Sequence, residues 1–298
     1  MQDQRSEKIL VALDQSKPSL EAVRYIAGVP GFRNREVVLL HVFTGVALHF
    51  WDLGSHPGFT KHVSEVRAWE FQAKRRAEEF LTEAKGLLTV AQFPEWAVRC
   101  VIQNREDGNA ADIMREARQG YVAVALGRKS MSPLRNIIMG SVAAKLVERL
   151  TEVPLFLVGK AVNTKKFLIA FDGSENSIRL VDYVGLTIGK DCNVTLLHVI
   201  RGSEADHVKE AEAFVCPLLE QAKARLLEYG MGSDHVAISL IKGASSRAGT
   251  IVSEARSRHH GTIVEGRRGL SKVQEFFMGS VSNKVVQMAR GMTVWIIN

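Results

Sequence analysis

The chain has no long hydrophobic run. Nothing in its 298 residues approaches the roughly 20 consecutive apolar residues that span a bilayer. The opening Met1-Gln2-Asp3-Gln4-Arg5 lacks the pattern of a signal peptide, so a cytosolic protein is expected, with no membrane partner. Cysteine is scarce too. Cys100, Cys192 and Cys216 are odd in number and show no C-x-x-C spacing, which argues against a disulfide framework and reads as reduced structural thiols. Several catalytic signatures are missing. No G-x-x-x-x-G-K-[ST] occurs, which excludes a P-loop NTPase, and no G-x-S-x-G elbow is found. Gly230-Met231-Gly232-Ser233-Asp234-His235 lacks the third glycine of a dinucleotide fingerprint.

What is present is ordinary in bulk and informative in order. A hydrophobic fraction of 46% with 24% charged residues is that of a globular protein. The net charge of +7 raises nucleic acid as a partner. Yet the basic residues alternate with acids, as in Glu148-Arg149 and Glu254-Ala255-Arg256, the pattern of a solvated helix face. The tighter cluster of Arg256, Arg258, His259, His260, Arg267 and Arg268 lies near a glycine-rich loop. Attraction of nucleotide phosphates accounts for it more economically than a duplex, and no nucleic-acid partner is expected.

That loop occurs almost twice. Gly266-Arg267-Arg268-Gly269 is followed after nine residues by Gly279-Ser280-Val281, and Gly127-Arg128-Lys129-Ser130 after nine by Gly140-Ser141-Val142. Glycines let backbone N–H groups approach phosphate without a Cβ in the way. A helix start adds unpaired donors and the positive end of the dipole. Further landmarks repeat in order: the strand from Lys8 ending in Asp14-Gln15-Ser16 returns 158 residues later as the strand from Lys166 ending in Asp172-Gly173-Ser174. Leu39-Leu40-His41-Val42 returns 157 residues later at Leu196-Leu197-His198-Val199, while the glycine loops lie 139 apart. The first copy therefore carries an insertion of about 18 residues. Two homologous domains are expected, over 1–162 and 163–298, with the insertion at about 45–62 and a linker at Asn163-Thr164.

Each half alternates short apolar strands with helical patterns. In the first, Ile9–Leu13, Val37–Val42, Val98–Ile102, Val122–Leu126 and Pro154–Val158 read as strands. Helices are expected after Ser16 as N-cap, over Val63–Leu88 and Ala110–Ala117, and from Gly140-Ser141. Strands apolar on both faces and alternating with helices mean a parallel sheet covered on both sides. Ligands of such sheets bind beyond the carboxyl ends of the strands, where Asp14, Val42, Gly127 and their counterparts fall.

An apolar strand ending in Asp-x-Ser, a second ending in Leu-Leu-His-Val, and G-x-x-G-x9-G-S closely resemble the universal stress protein family, here as a tandem pair over nearly the whole chain. The resemblance implies two α/β, Rossmann-like domains, each a five-stranded parallel sheet with helices on both faces. It also implies ATP or AMP over the carboxyl edge, with or without Mg2+. Carried over by position, Asp172 and the backbone of Val199 would contact the nucleoside, and Gly266, Gly269, Gly279 and Ser280 the phosphates. In the first half these positions are Asp14, Val42, Gly127, Ser130, Gly140 and Ser141. In the family the last strands pair between domains, so an intramolecular pseudo-dimer is expected, with further homodimerisation left open.

The halves depart from the pattern differently. Ser130 replaces the second glycine of the first loop, and the third strand there ends near Arg105-Glu106-Asp107, whose acids would disfavour phosphate. In the second half Glu265 precedes Gly266, where a carboxylate costs affinity unless it points away or pairs with Arg267 or Arg268. The second half is favoured as the stronger site. Asp14 and Asp172 could equally cap the next helix, and His41 and His198 read as packing rather than catalytic. The insertion carries His49, Phe50, Trp51, Asp52, His56, Phe59 and His62 in no metal-ligand spacing, and reads as an aromatic flap rather than a metal site. The expected function is a stress-response sensor or regulator read by an unknown protein partner. The alternatives are a nucleotide-free interaction module and a weak ATP hydrolase.

Overall fold

Two parallel sheets join edge to edge into one ten-stranded sheet in the computed structural model, which describes residues 7–46, 60–128, 139–160, 162–202, 204–267 and 278–298. The first half runs β1 (Lys8–Ala12), α1 (Lys17–Gly28), β2 (Glu36–Phe43), α2 (Thr60–Val90), β3 (Val98–Asn104), α3 (Asn109–Ala117), β4 (Tyr121–Gly127), α4 (Ser141–Arg149) and β5 (Leu155–Val158). The second runs β6 (Lys166–Ala170), α5 (Glu175–Thr187), β7 (Asn193–Arg201), α6 (Ala205–Glu228), β8 (Val236–Ala244), α7 (Arg247–Ser257), β9 (Thr262–Gly266), α8 (Ser280–Met288) and β10 (Thr293–Ile297). Strand order is β3-β2-β1-β4-β5 in the first half and its mirror, β10-β9-β6-β7-β8, in the second. All pairings within a half are parallel. This is the expected α/β architecture.

The strand residues alternate between two buried layers, as a sheet covered on both faces requires. Ile9, Val11, Phe167 and Ile169 point into the layer under α1, α2, α5 and α6. Leu10, Ala12 and Leu168 point into the layer under α3, α4, α7 and α8. Both layers run without a break from one half into the other. The buried positions of α2 and α6 also locate the insertion. Ala77, Leu81, Ala84 and Leu88 correspond to Val215, Leu219, Ala222 and Leu226, 138 residues later. The extra residues therefore precede Ala77, between β2 and the buried part of α2.

The halves meet where β5 and β10 pair antiparallel, with Phe156 opposite Trp295. These two rings stack at 4.0 Å and 11°, and Tyr25, Phe32, Phe167 and Tyr183 surround Trp295. Tyr25 and Tyr183 are counterparts and reach across in opposite directions. The Tyr25 hydroxyl lies 2.7 Å from Thr262 Oγ1, and Tyr183 donates to the Val122 carbonyl at 3.0 Å. The Gly31 amide donates to the Ile188 carbonyl at 2.9 Å, so close that a Cβ on Gly31 would lie 2.1 Å from the Thr187 carbonyl oxygen. Asn163 and Thr164 are pinned rather than loose: Asn163 Nδ2 donates to the His259 carbonyl at 3.0 Å and the Thr164 hydroxyl to the Gly28 carbonyl at 2.8 Å. Edge pairing of this kind removes two exposed strand edges. The expected pseudo-dimer is the internal architecture of the chain.

Candidate functional site

Two pockets open at the carboxyl ends of the strands, of about 410 Å³ in the first half and 330 Å³ in the second. Their floors are built alike. After β1 the chain turns through Asp14-Gln15-Ser16, with Gln15 in the left-handed region at φ 59° and its counterpart Gly173 at φ 81°. Asp172 Oδ1 accepts from the Ser174 amide at 3.0 Å and the Ser174 hydroxyl at 2.5 Å, and Ser174 Oγ caps α5 by accepting from the Ser177 amide at 3.2 Å. Asp14, Ser16 and Ser19 repeat this relay at the start of α1. The serines are therefore the caps, and each aspartate at the pocket wall holds its capping serine.

His41 and His198 end the next strands. Each places Nδ1 2.8 Å from a backbone carbonyl, that of Leu13 and Phe171 respectively, which assigns the proton to Nδ1. Burial, with a contribution from nearby Arg247, pulls the His198 pKa below its ordinary value. These rings tie neighbouring strand ends together, as the packing reading expects.

The remaining walls come from glycine. Gly127 ends β4 where a Cβ would lie 2.0 Å from the Pro18 carbonyl oxygen, so only glycine lets α1 approach. Gly140 and Gly279 sit at the N-caps of α4 and α8, with extended backbones and no side-chain cap among the described residues. The first-turn N–H groups of both nine-residue helices therefore point into the pockets without a capping acceptor. Strand end and helix start are directly joined in the second half, where the Gly279 amide donates to the Arg267 carbonyl at 2.8 Å.

The structure thus brings Asp14, Val42, Gly127, Gly140 and Ser141 around one pocket, and Asp172, Val199, Gly266, Gly279 and Ser280 around the other. Ser130 and Gly269 lie outside the described residues, as does the insertion over 47–59. Among the lining residues that were not expected are two cations and an indole. Trp69 and Arg76 of α2 line the first pocket and Arg247 at the start of α7 the second. Arg76 sits in a Lys74-Arg75-Arg76 run indistinguishable in sequence from a solvated face, and Arg247 follows its own capping serine, Ser246.

Two charge arguments from the sequence are corrected. Arg268 of the basic cluster beside the second loop lies outside the described residues, and four other members do not line the second pocket. Arg256 donates to the Met288 carbonyl, Arg258 pairs with Glu254, His260 is buried against Thr195, and Arg267 reaches α4. The Glu106 and Asp107 carboxylates of the first half are held by Arg115 at 3.0 and 2.9 Å and do not line the pocket. Lys242, near the end of the third strand of the second half, pairs with Glu212 at 2.6 Å and is not among the residues lining the second pocket.

Glu265 is the main asymmetry. It is 2% exposed, and neither carboxyl oxygen has a hydrogen-bond partner among the described residues. Burial pushes its pKa well above the usual carboxylate range, with only partial opposition from Arg128. Burial thus favours the protonated form of this group, which has no hydrogen-bonded base among the described residues. Leu126 holds the corresponding place in the first half.

Among the described residues no helix is long and apolar enough to cross a membrane. Sequence comparison matches the universal stress protein family over residues 5–158 and again over 163–296. The chain is 30% identical to the universal stress protein YxiE of Bacillus subtilis over 142 residues, covering 42% of this chain and 93% of that protein. Its fold is similar to that of a universal stress protein from Archaeoglobus fulgidus, with a TM-score of 0.68, 18% identity and 99% coverage of both chains. A universal stress protein solved in complex with cAMP matches 45% of this chain and 97% of its own, at 20% identity and a TM-score of 0.37. With both halves matched in order, the chain belongs to the universal stress protein family as a tandem pair.

Proposed function

We propose that both pockets bind an adenine nucleotide, ATP or AMP, and that the protein is a cytosolic stress-response sensor or regulator whose bound state a protein partner reads. The observation that carries this reading is the uncapped N-terminus of a nine-residue helix beside a glycine strand end, formed twice. Such a cradle attracts phosphate by its free amides and dipole. The phosphates rest on Gly140-Ser141 and on Gly279-Ser280, and the nucleoside lies toward Asp14 and Val42, or Asp172 and Val199. Ser130 and Gly269 belong to the same two sets. Mg2+ is compatible with this arrangement through the phosphates themselves.

Neither pocket is disfavoured by charge. The acids of the first half pair with Arg115 away from the pocket, and burial raises the Glu265 pKa well above the usual carboxylate range, which favours its uncharged form. Binding rather than turnover is proposed, because both pocket aspartates accept hydrogen bonds from their capping serines. Calorimetric titration of nucleotide-stripped protein with Mg-ATP tests the reading. Two sites per chain are expected, Gly140→Val and Gly279→Val each removing one. At ligand 100-fold above Kd each site adds about 2.7 kcal/mol of stability. Absence of heat at several temperatures would replace the sensor by a nucleotide-free interaction module. Phosphate release above that of the Gly140→Val/Gly279→Val double variant would instead establish a hydrolase.

A further inference from the structure

The residue after the first glycine of each loop is an arginine, and among the described residues neither arginine lines the pocket of its own half. Arg128 crosses to the second half, where its guanidinium donates to the carbonyls of Ala289 at 3.0 Å and Val286 at 2.5 Å, at the C-terminal end of α8. Arg267 crosses in the opposite direction and donates to the carbonyls of Val147 and Leu150, at the C-terminal end of α4, with Nε on Asn298 Oδ1 at 2.6 Å. The two pairs of acceptors are exact counterparts, each 139 residues apart. Both side chains are buried, at 7% and 5% exposure. Both backbones are anchored on the last strand of their own half, Arg128 N to the Val158 carbonyl at 2.7 Å and Arg267 N to the Ile297 carbonyl at 2.8 Å.

The last carbonyls of a helix have no partner within it and carry the negative end of its dipole. A buried guanidinium supplies two donors and a positive charge to such an end. The helices held in this way are the ones whose opposite ends wall the pockets. We propose that each pocket is positioned by the loop arginine of the other domain: Arg267 sets α4 for the N-terminal pocket, and Arg128 sets α8 for the C-terminal one. A ligand that shifts one glycine loop then shifts the far end of the helix forming the other pocket, so the two sites are coupled. This deepens the nucleotide reading and rests on it only for its binding test.

The experiment uses the full chain with Arg128→Ala, Arg267→Ala and the corresponding lysine variants, read first by amide hydrogen exchange without ligand. Arg267→Ala is expected to speed exchange about tenfold over Ala144–Leu150 while leaving Asn283–Ala289 unchanged. Arg128→Ala should do the reverse, and lysine, a single point donor, should give intermediate rates. Mg-ATP titration follows in chains with one working pocket. Adding Arg267→Ala to Gly279→Val should weaken the remaining N-terminal pocket at least fivefold. Equal loosening of both helices, loosening of neither, or unchanged affinity of the remote pocket would overturn the proposal. If the parent chain binds no nucleotide, the functional reading fails and the exchange pattern alone decides the positioning role. Should an alanine variant not fold, the lysine variant's exchange pattern decides it in the same way.

Discussion

Glu265 makes stability depend on pH in a direction opposite to that of most carboxylates. Its folded pKa lies well above the ordinary value of 4.5 because burial penalises the charged form, and the Arg128 field only partly compensates. Between the unfolded and folded values the native state therefore holds a proton that the unfolded chain has released. Unfolding free energy falls as pH rises through that window, by about 1.4 kcal/mol per pH unit for a single proton. The contribution is fully present below the unfolded pKa and lost as pH passes the folded one. His198 and His260 act in the other direction. Their lowered folded pKa values mean that the unfolded chain takes up protons first as pH drops below about 6.5. A variant comparison separates the two. Glu265→Gln keeps the shape and the neutral hydrogen-bonding groups but cannot titrate. Urea unfolding of parent and variant at half-unit steps from pH 4.5 to 8 should give equal stability at the acid end. The variant should then gain steadily until the folded pKa is passed. Parallel curves across the range would show that Glu265 is not held as a neutral acid, and the account of the second pocket would fall with it.

Two other substitutions test the frame. Trp295→Ala removes the ring that stacks on Phe156 and is bordered by rings from both halves; a loss of about 3–5 kcal/mol is expected, with both halves unfolding together in urea. Separate transitions, one unshifted, would show that the seam does not couple them. Gly127→Ala places a Cβ against the Pro18 carbonyl oxygen, 2.0 Å away, and should cost about 1–3 kcal/mol by overpacking while weakening Mg-ATP binding in the N-terminal pocket. An unaffected melting temperature would mean that α1 yields without strain.

The sequence made the strand and helix order legible because each strand is a short apolar run and each pocket floor is made of repeated, position-locked residues. Asp14-Gln15-Ser16 and Asp172-Gly173-Ser174 are visible as a motif because the relay needs a carboxylate two residues before the capping serine. The glycines are visible because nothing else fits against Pro18 or leaves a helix start open. The destinations of long side chains were not legible. Arg128 and Arg267 stand in a phosphate-loop pattern, and their crossing depends on the antiparallel junction of β5 and β10, which no local pattern encodes. Trp69 was hidden for another reason. It is half exposed on a long polar helix, and only the tertiary placement of α2 over β2 brings it to the pocket. The basic run misled because linear proximity to a glycine loop says nothing about direction, and its described members Arg256, Arg258, His260 and Arg267 leave in four directions.

The duplication separates what the two sites must share from what they can vary. The floors rest on backbone amides, glycine clearances and capping serines, and these are nearly superimposable in kind between the halves. The symmetric frame also constrains them, because Phe156 faces Trp295 in register and the crossed arginines link counterpart carbonyls. A floor distorted in one half would misplace a helix in the other. The rims carry no such constraint. Trp69 and Arg76 border one pocket, whereas Arg247 borders the other and a buried acid stands where the first has Leu126. An aromatic face and a cation on a long helix can stack and hold a base. The pockets are thus alike in their backbone-built floors and unlike in their side-chain rims, so under the proposed function any difference in nucleotide preference between the halves is expected to trace to these rim residues.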